Sequence, residues 1–129
     1  MFLWVWIMPS EKITQKFTKQ KKMNMEHKSF DDLIESVTVW ASVKGLIKEE
    51  NAKSQMIKVL EEVGETGGAL LKGNREEVID GIGDSFVTLI ILARQLGLNP
   101  KDCLESAYNE IANRKGQMVD GSFVKEESK

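Results

Sequence analysis

The acids Glu61, Glu62 and Glu65, followed by Glu77, Asp80 and Asp84, are the residues of this sequence best spaced to do chemistry. Glu62 and Glu65 are three apart and Asp80 and Asp84 are four apart. On helices, each pair stands one above the other on a single face. The short stretch Lys72-Gly73-Asn74 separates the two segments, so two antiparallel helices would bring both pairs to one cleft. Facing carboxylates repel, by a few tenths of a kcal/mol per exposed pair and by more where water is excluded. A divalent cation removes that repulsion. Mg²⁺ takes oxygen ligands, keeps several waters and bridges to substrate phosphates, and Mn²⁺ can replace it. The plainer alternative is that these acids are the solvated faces of two amphipathic helices.

The glycines beside the acids weigh against the plainer alternative. Gly64, Gly67 and Gly68 follow the first pair closely, and Gly81 and Gly83 fall between the two aspartates. Each glycine inside a helix costs about 1 kcal/mol relative to alanine. Five of them imply close approach by another backbone or by a ligand.

The elements that must position these residues are helical. Ser29 is the N-cap of a first helix, with Asp32 at the capping-box position and Phe30, Leu33, Ile34, Val37, Trp40 and Ala41 at helical spacing. Gly45 ends it in the left-handed conformation. A second helix runs from about Lys53 to Lys72 and stops at Gly73; a third is capped by Asn74, with Glu77 in the box, and continues to about Gln95. From Phe86 to Leu92 the third is apolar on nearly all sides except Thr88, which predicts a central place. A fourth begins with Asn99 as cap and Pro100 in the first turn, packs through Leu104, Ala107, Tyr108 and Ile111, and closes at Gly116. Asp120-Gly121 between Met118-Val119 and Ser122-Phe123 suits a short C-terminal β-hairpin. The fold class is all-α, a four-helix bundle. Its third helix exposes more apolar surface than one neighbour covers, so homo-oligomerisation completes the bundle.

Composition narrows the function classes. With 129 residues, 41% hydrophobic and 29% charged, the chain suits one soluble domain. Residues 1–25 hold five lysines against Glu11, so the rest is acidic within a net charge of −2. An acidic body argues against nucleic-acid binding. The lone Cys103 suits a reducing cytoplasm and is expected to be a small buried filler. Met1–Met8 is apolar but too short to span a membrane and lacks the marks of a signal peptide. Residues 1–28 are therefore expected to be a disordered extension, with a membrane-surface or partner-binding arm as the alternative, and residues 29–129 the helical domain. His27 is isolated and expected to have no special role. Trp40 is expected in the core, with base stacking as its alternative.

The pattern Gln55-x-x-Lys58-x-x-Glu61-Glu62-x-Gly64-Glu65, then Gly83-Asp84, resembles the MazG-like all-α nucleotide pyrophosphohydrolases. So do the stretches from Asp80 to Leu89 and from Asn109 to Gly116, which look like small phage and bacterial members. The resemblance covers about Trp40 to Val124. It implies a MazG-like bundle, homodimeric or homotetrameric, that hydrolyses a nucleoside triphosphate between its α and β phosphates in nucleotide-pool control.

The resemblance also implies site roles. The family carries Glu-x-x-Glu on one helix and Glu-x-x-Asp on the next; Glu62, Glu65 and Asp84 match three of these positions. The fourth falls on Gly81, which has no ligand to offer, so Asp80 is the substitute metal residue; Glu77 with Asp80 leaves open a register one turn earlier. Glu61, Glu62 and Glu65 are the catalytic candidates, with Glu61 or another carboxylate orienting or deprotonating the attacking water. Lys58, Arg114 and Lys115 are candidates for the polyphosphate charge, though charge at a helix C-terminus accounts equally well for the last two. Asn109 is a candidate for sugar or base and Gln55 for the pocket wall. Gly81 keeps two alternatives open: a weak or inactive relative that binds nucleotide or metal, and a helical interaction protein.

Overall fold

A computed structural model describes residues 28–127. The chain divides between Glu35 and Ser36 into two units. In the first, the described residues are those from 28 to 35, the capped start of a helix. The Met1–Met8 run and His27 lie outside the described residues, as does all but the last residue of the expected extension.

The described residues form four α-helices in order: α1 (Phe30–Val43), α2 (Ala52–Lys72), α3 (Arg75–Gln95) and α4 (Pro100–Ile111), with a 3-10 turn at Glu49–Asn51 before α2. Strands β1 (Gly116–Val119) and β2 (Ser122–Lys125) make a two-stranded antiparallel hairpin. No single helix among the described residues is long and apolar enough to cross a membrane.

The helix ends form where the side chains dictate. Ser29 Oγ accepts the Asp32 amide at 3.1 Å, and the Asp32 carboxylate accepts the Ser29 amide at 3.1 Å, which completes the capping box. Hydrogen bonds from this box, with Lys28 nearby, hold the Asp32 carboxyl below its ordinary range. At the other end Gly45 turns left-handed, with φ of 75°, and Leu46 N reaches back to Ala41 O at 2.9 Å. Gly73 ends α2 in the same way, with φ of 70°. Asn74 then caps α3 by accepting the Glu77 amide at 3.3 Å, so only two residues separate α2 from α3. That tight turn makes α2 and α3 the principal helix pair. Asn99 caps α4 by accepting the Lys101 amide at 3.0 Å, and α4 leaves α3 at a bend of 105°.

Two expectations are corrected here. Helix α4 stops at Ile111, and Gly116 opens β1 opposite Lys125 instead of closing the helix. A Cβ at Gly116 would overlap Val124 O and the Phe123 ring, so this glycine serves strand pairing. Cys103 is exposed, because α4 buries no residue at all. The hairpin turn matches its sequence: Asp120 and Gly121 have φ of 49° and 80°, the left-handed pair of a type I′ turn.

The core is small. In the second unit Ala41, Val59, Ala69, Ile90 and Ile91 are buried, yet no large side chain is fully buried. Phe86 and Leu89 of α3 remain about half exposed, and Leu71 of α2 is 90% exposed. The side chains Leu104, Tyr108 and Ile111, expected to pack α4, are exposed, and Trp40 is 52% exposed. Polar ties supplement this core. Arg94 Nε donates to Thr38 Oγ1 at 3.0 Å, and the buried Gln95 amide donates to Leu46 O at 2.9 Å, linking the end of α3 to the segment around the end of α1.

Candidate acidic site on helices α2 and α3

Glu62 and Glu65 stand on α2, and Asp80 and Asp84 on α3, and all four line one cavity of about 360 Å³. Glu77, Gly68, Ala69, Lys72 and Gly81 complete its wall. Among the described residues, Lys72 is therefore the one basic side chain beside five carboxylates in that wall. The helical spacings place each acid pair on the cavity side of its helix, and the two-residue turn at Gly73-Asn74 brings the helices alongside.

The charges interact. The Glu62 carboxyl is pushed above its ordinary value, first by partial burial and then by the negative charges of Glu65 and Asp84. Glu61 pushes it in the same direction, and Lys58 opposes. A cation beside this carboxyl would favour its ionised form. The donor set, all carboxylate oxygen, fits a hard divalent cation. Among the described residues, however, no group of three or more His, Cys, Asp or Glu side chains is close enough together to hold a metal ion. Mg²⁺ tolerates such a set better than most ions, because it retains waters and shares substrate phosphates instead of requiring a cage of protein ligands.

The other candidates stand apart from this cavity. Lys58 Nζ pairs with Glu61 Oε2 at 2.9 Å, and both are exposed. That bond, then the nearby Glu61, Glu62 and Glu65 charges, hold the Lys58 ammonium above its usual range. Gln55 spends its amide on Thr88 O, at 3.1 Å, and so ties α2 to α3. Asn109 is exposed on α4. Arg114 and Lys115 line a different concavity, beside the hairpin, with Glu110, Asn113 and Lys125 among its other residues. The structure thus places the four metal candidates along one cavity wall, with no three of them close enough together to hold an ion, and leaves Gln55, Lys58, Glu61, Asn109, Arg114 and Lys115 off that wall.

The glycines divide. An added Cβ would meet nothing within 4 Å at Gly64, Gly67, Gly68 or Gly83, so no other part of the described chain approaches closely there. Gly81 does show close approach. It is buried, and an added Cβ would overlap Thr66 Oγ1 and lie 3.0 Å from Thr66 Cβ. Any side chain at this position would therefore need the Thr66 hydroxyl to move and its Cα and Cβ to give by a few tenths of an ångström.

Two residues of the site escaped sequence reasoning. Lys72 lies seven residues after Glu65, two helical turns along the same face, so the spacing was there to be used. Thr66 gives no comparable signal. Its hydroxyl donates to Glu62 O at 2.7 Å, and its contact with Gly81 depends on how two helices pack.

No family model matches the chain, and no solved structure does. A 63-residue stretch, 49% of the chain, is 36% identical to an uncharacterized 18.2 kDa protein encoded in the rep-hol intergenic region of Haemophilus phage HP1 (strain HP1c1). That stretch spans 39% of the phage protein's length, so the chain is similar to part of a longer phage protein.

Proposed function

We propose that this chain is a divalent-cation-dependent nucleoside triphosphate pyrophosphohydrolase of the MazG-like type, acting in the cytoplasm on the nucleotide pool. The observation that carries the reading is the shared cavity of Glu62, Glu65, Asp80 and Asp84, with Glu62 already strained electrostatically by its neighbours. Such a wall repels a bare triphosphate and attracts one that arrives with Mg²⁺ or Mn²⁺.

In this reading Glu62, Glu65, Asp80 and Asp84 would hold the cation, which would supply positive charge for the phosphates and acidity for the attacking water. Water attacks the α phosphorus, the bond from that phosphorus to the bridging oxygen breaks, and pyrophosphate leaves. Lys72, in the cavity wall, is a protein charge placed to balance the departing group. Glu61 reaches the water only if its pair with Lys58 opens. An exposed pair of this kind contributes at most about 1 kcal/mol, so that barrier is low.

Two further readings have specific support. The lack of a group of three close ligands among the described residues, together with Gly81, favours a relative that binds cation or nucleotide without turnover. The half-exposed apolar faces of α2, α3 and α4 favour an interaction protein. The same faces support the homo-oligomer, dimer or tetramer, that forms part of the first reading.

Pyrophosphate release from a panel of ribo- and deoxyribonucleoside triphosphates, with and without Mg²⁺, separates the three. The expected outcome is monophosphate and pyrophosphate in equal amounts, only with the cation. Cation-dependent nucleotide binding without products selects the second reading, and neither binding nor products selects the third.

A further inference from the structure

The hairpin is the least supported part of the fold. Every residue of β1 and β2 is exposed, and among the described residues no helix packs extensively against them. A two-stranded hairpin standing alone is marginal in water; further strands or a covering layer make it persist. The ladder shows which groups are left for another strand. Glu126 N donates to Lys115 O at 2.8 Å, so these two form a hydrogen-bonded pair. Such pairs alternate with non-bonded ones along antiparallel strands. Gly116 opposite Lys125 and Met118 opposite Phe123 are then the non-bonded pairs. The backbone N–H and C=O groups of Gly116 and Met118 therefore point away from β2, along the open edge of β1.

The flanks of β1 indicate what fits that edge. Arg114 and Lys115 precede the strand and Asp120 follows it. An antiparallel strand of the same sequence sets each basic end beside the other's acidic end, whereas a parallel one aligns like charges. The register is constrained as well, because outward-pointing residues must meet outward-pointing residues. Gly116 opposite Met118 satisfies this and places Arg114 opposite Asp120. Centring the pair on Gly116 would set Arg114 against Met118, and centring it on Met118 would set Asp120 against Gly116. Gly116 also suits a large neighbour. It carries no side chain, and the Phe123 ring of its own hairpin lies where its Cβ would be, so an incoming methionine meets an aromatic ring.

We infer that the open edge of β1 pairs antiparallel with β1 of a second copy of this chain, Gly116 opposite Met118 and Gln117 opposite Gln117, joining two hairpins into one four-stranded sheet. This interface is separate from the apolar helix faces and independent of any cation at α2 and α3. It gathers Met118 and Phe123 of both copies on one face of the sheet.

Disulfide crosslinking of the full chain tests the pairing, with Cys103→Ser removing the exposed native thiol. Opposed residues of a non-bonded pair have Cα atoms about 4.5 Å apart, within the roughly 4.4–6.8 Å that a disulfide spans. Gln117→Cys is therefore expected to give a linked dimer under mild oxidation. Val119→Cys, exposed on the same strand, would lie about 13 Å from its counterpart, four residues of strand away. It is expected to crosslink at least about tenfold more slowly, once both rates are scaled by reactivity towards a small thiol reagent. Adding Met118→Pro to Gln117→Cys removes an outward N–H that the hairpin itself does not use, and is expected to bring the rate down to that of Val119→Cys.

Equal rates for the two cysteines overturn the inference, as does a Gln117→Cys rate that Met118→Pro leaves unchanged. Faster crosslinking through Val124→Cys would move the pairing to the β2 edge and overturns it too. No linked dimer from any of these variants overturns self-pairing and leaves the edge to an extended segment of another protein.

Discussion

If the proposed pyrophosphohydrolase reading holds, replacing Glu62 by glutamine, or Asp84 by asparagine, is expected to lower pyrophosphate release by on the order of a thousandfold while the metal-free protein keeps its helical circular dichroism. The two halves of this expectation have one cause. Glu62 is held above its ordinary pKa by partial burial and by the charges of Glu65 and Asp84, so its ionised form is disfavoured in the fold. A group raised in this way contributes stability at low pH and loses that contribution as pH rises through its folded value. At neutral pH without cation, ionised Glu62 therefore strains the pair of helices, and Glu62→Gln relieves it. Its melting temperature is expected to rise in metal-free buffer, to fall behind the wild type once saturating Mg²⁺ and nucleotide are added, and to vary less with acid pH. Wild-type cation binding, in turn, is expected to weaken on acidification from a pH above that of an ordinary glutamate, as protons compete for Glu62. A variant that loses stability and turnover together would instead mark Glu62 as a structural residue.

The second large effect concerns assembly. A 14.6 kDa chain with Leu71 90% exposed, Val43 79% exposed and no large side chain fully buried leaves much of its apolar surface in water. Each such residue, once covered, contributes about 1.5–3 kcal/mol, against a total stability of only about 5–15 kcal/mol for a typical domain. Folding is therefore expected to be coupled to association. Sedimentation velocity is expected to give at least twice the single-chain mass, and the melting temperature to rise with protein concentration. Leu71→Glu is expected to dissociate the assembly and to lower the melting temperature steeply. A single-chain mass at tens of micromolar, with a concentration-independent transition, contradicts this expectation.

What was legible in the residues divides along a physical line. Helix ends depend on the nearest few side chains and on the left-handed tolerance of glycine, so Ser29, Gly45, Gly73, Asn74, Asn99 and the Asp120-Gly121 turn could all be placed from sequence. The common face of Glu62 and Glu65, and that of Asp80 and Asp84, follow from helical periodicity in the same local way. Burial does not. Cys103 and the α4 stripe carry an apolar pattern that one chain does not cover, so their exposure was unreadable from periodicity alone. Gly116 has the composition of a helix stop, yet its neighbours across the hairpin decide its use. The Gly81 contact is the sharpest case. From the residues it is a missing ligand; in the fold it is the point where any side chain would press on Thr66.

That distinction bears on the departure from the family pattern. A glutamate at 81 would press on Thr66, whose hydroxyl would have to move and whose Cα and Cβ would have to give by a few tenths of an ångström. On the proposed reading, Asp80 serves in its place.

Mn²⁺ uptake in the presence of a triphosphate analogue that resists cleavage between its α and β phosphates measures the point most directly. The wild-type chain is expected to bind the cation tightly only when the analogue is present, with a resonance spectrum altered by phosphate oxygens carrying ¹⁷O, and Asp84→Asn is expected to lose that binding. Uptake that ignores both the analogue and the Asp84 substitution, or no uptake under any of these conditions, would mean that the carboxylates of α2 and α3 form a wetted surface and nothing more.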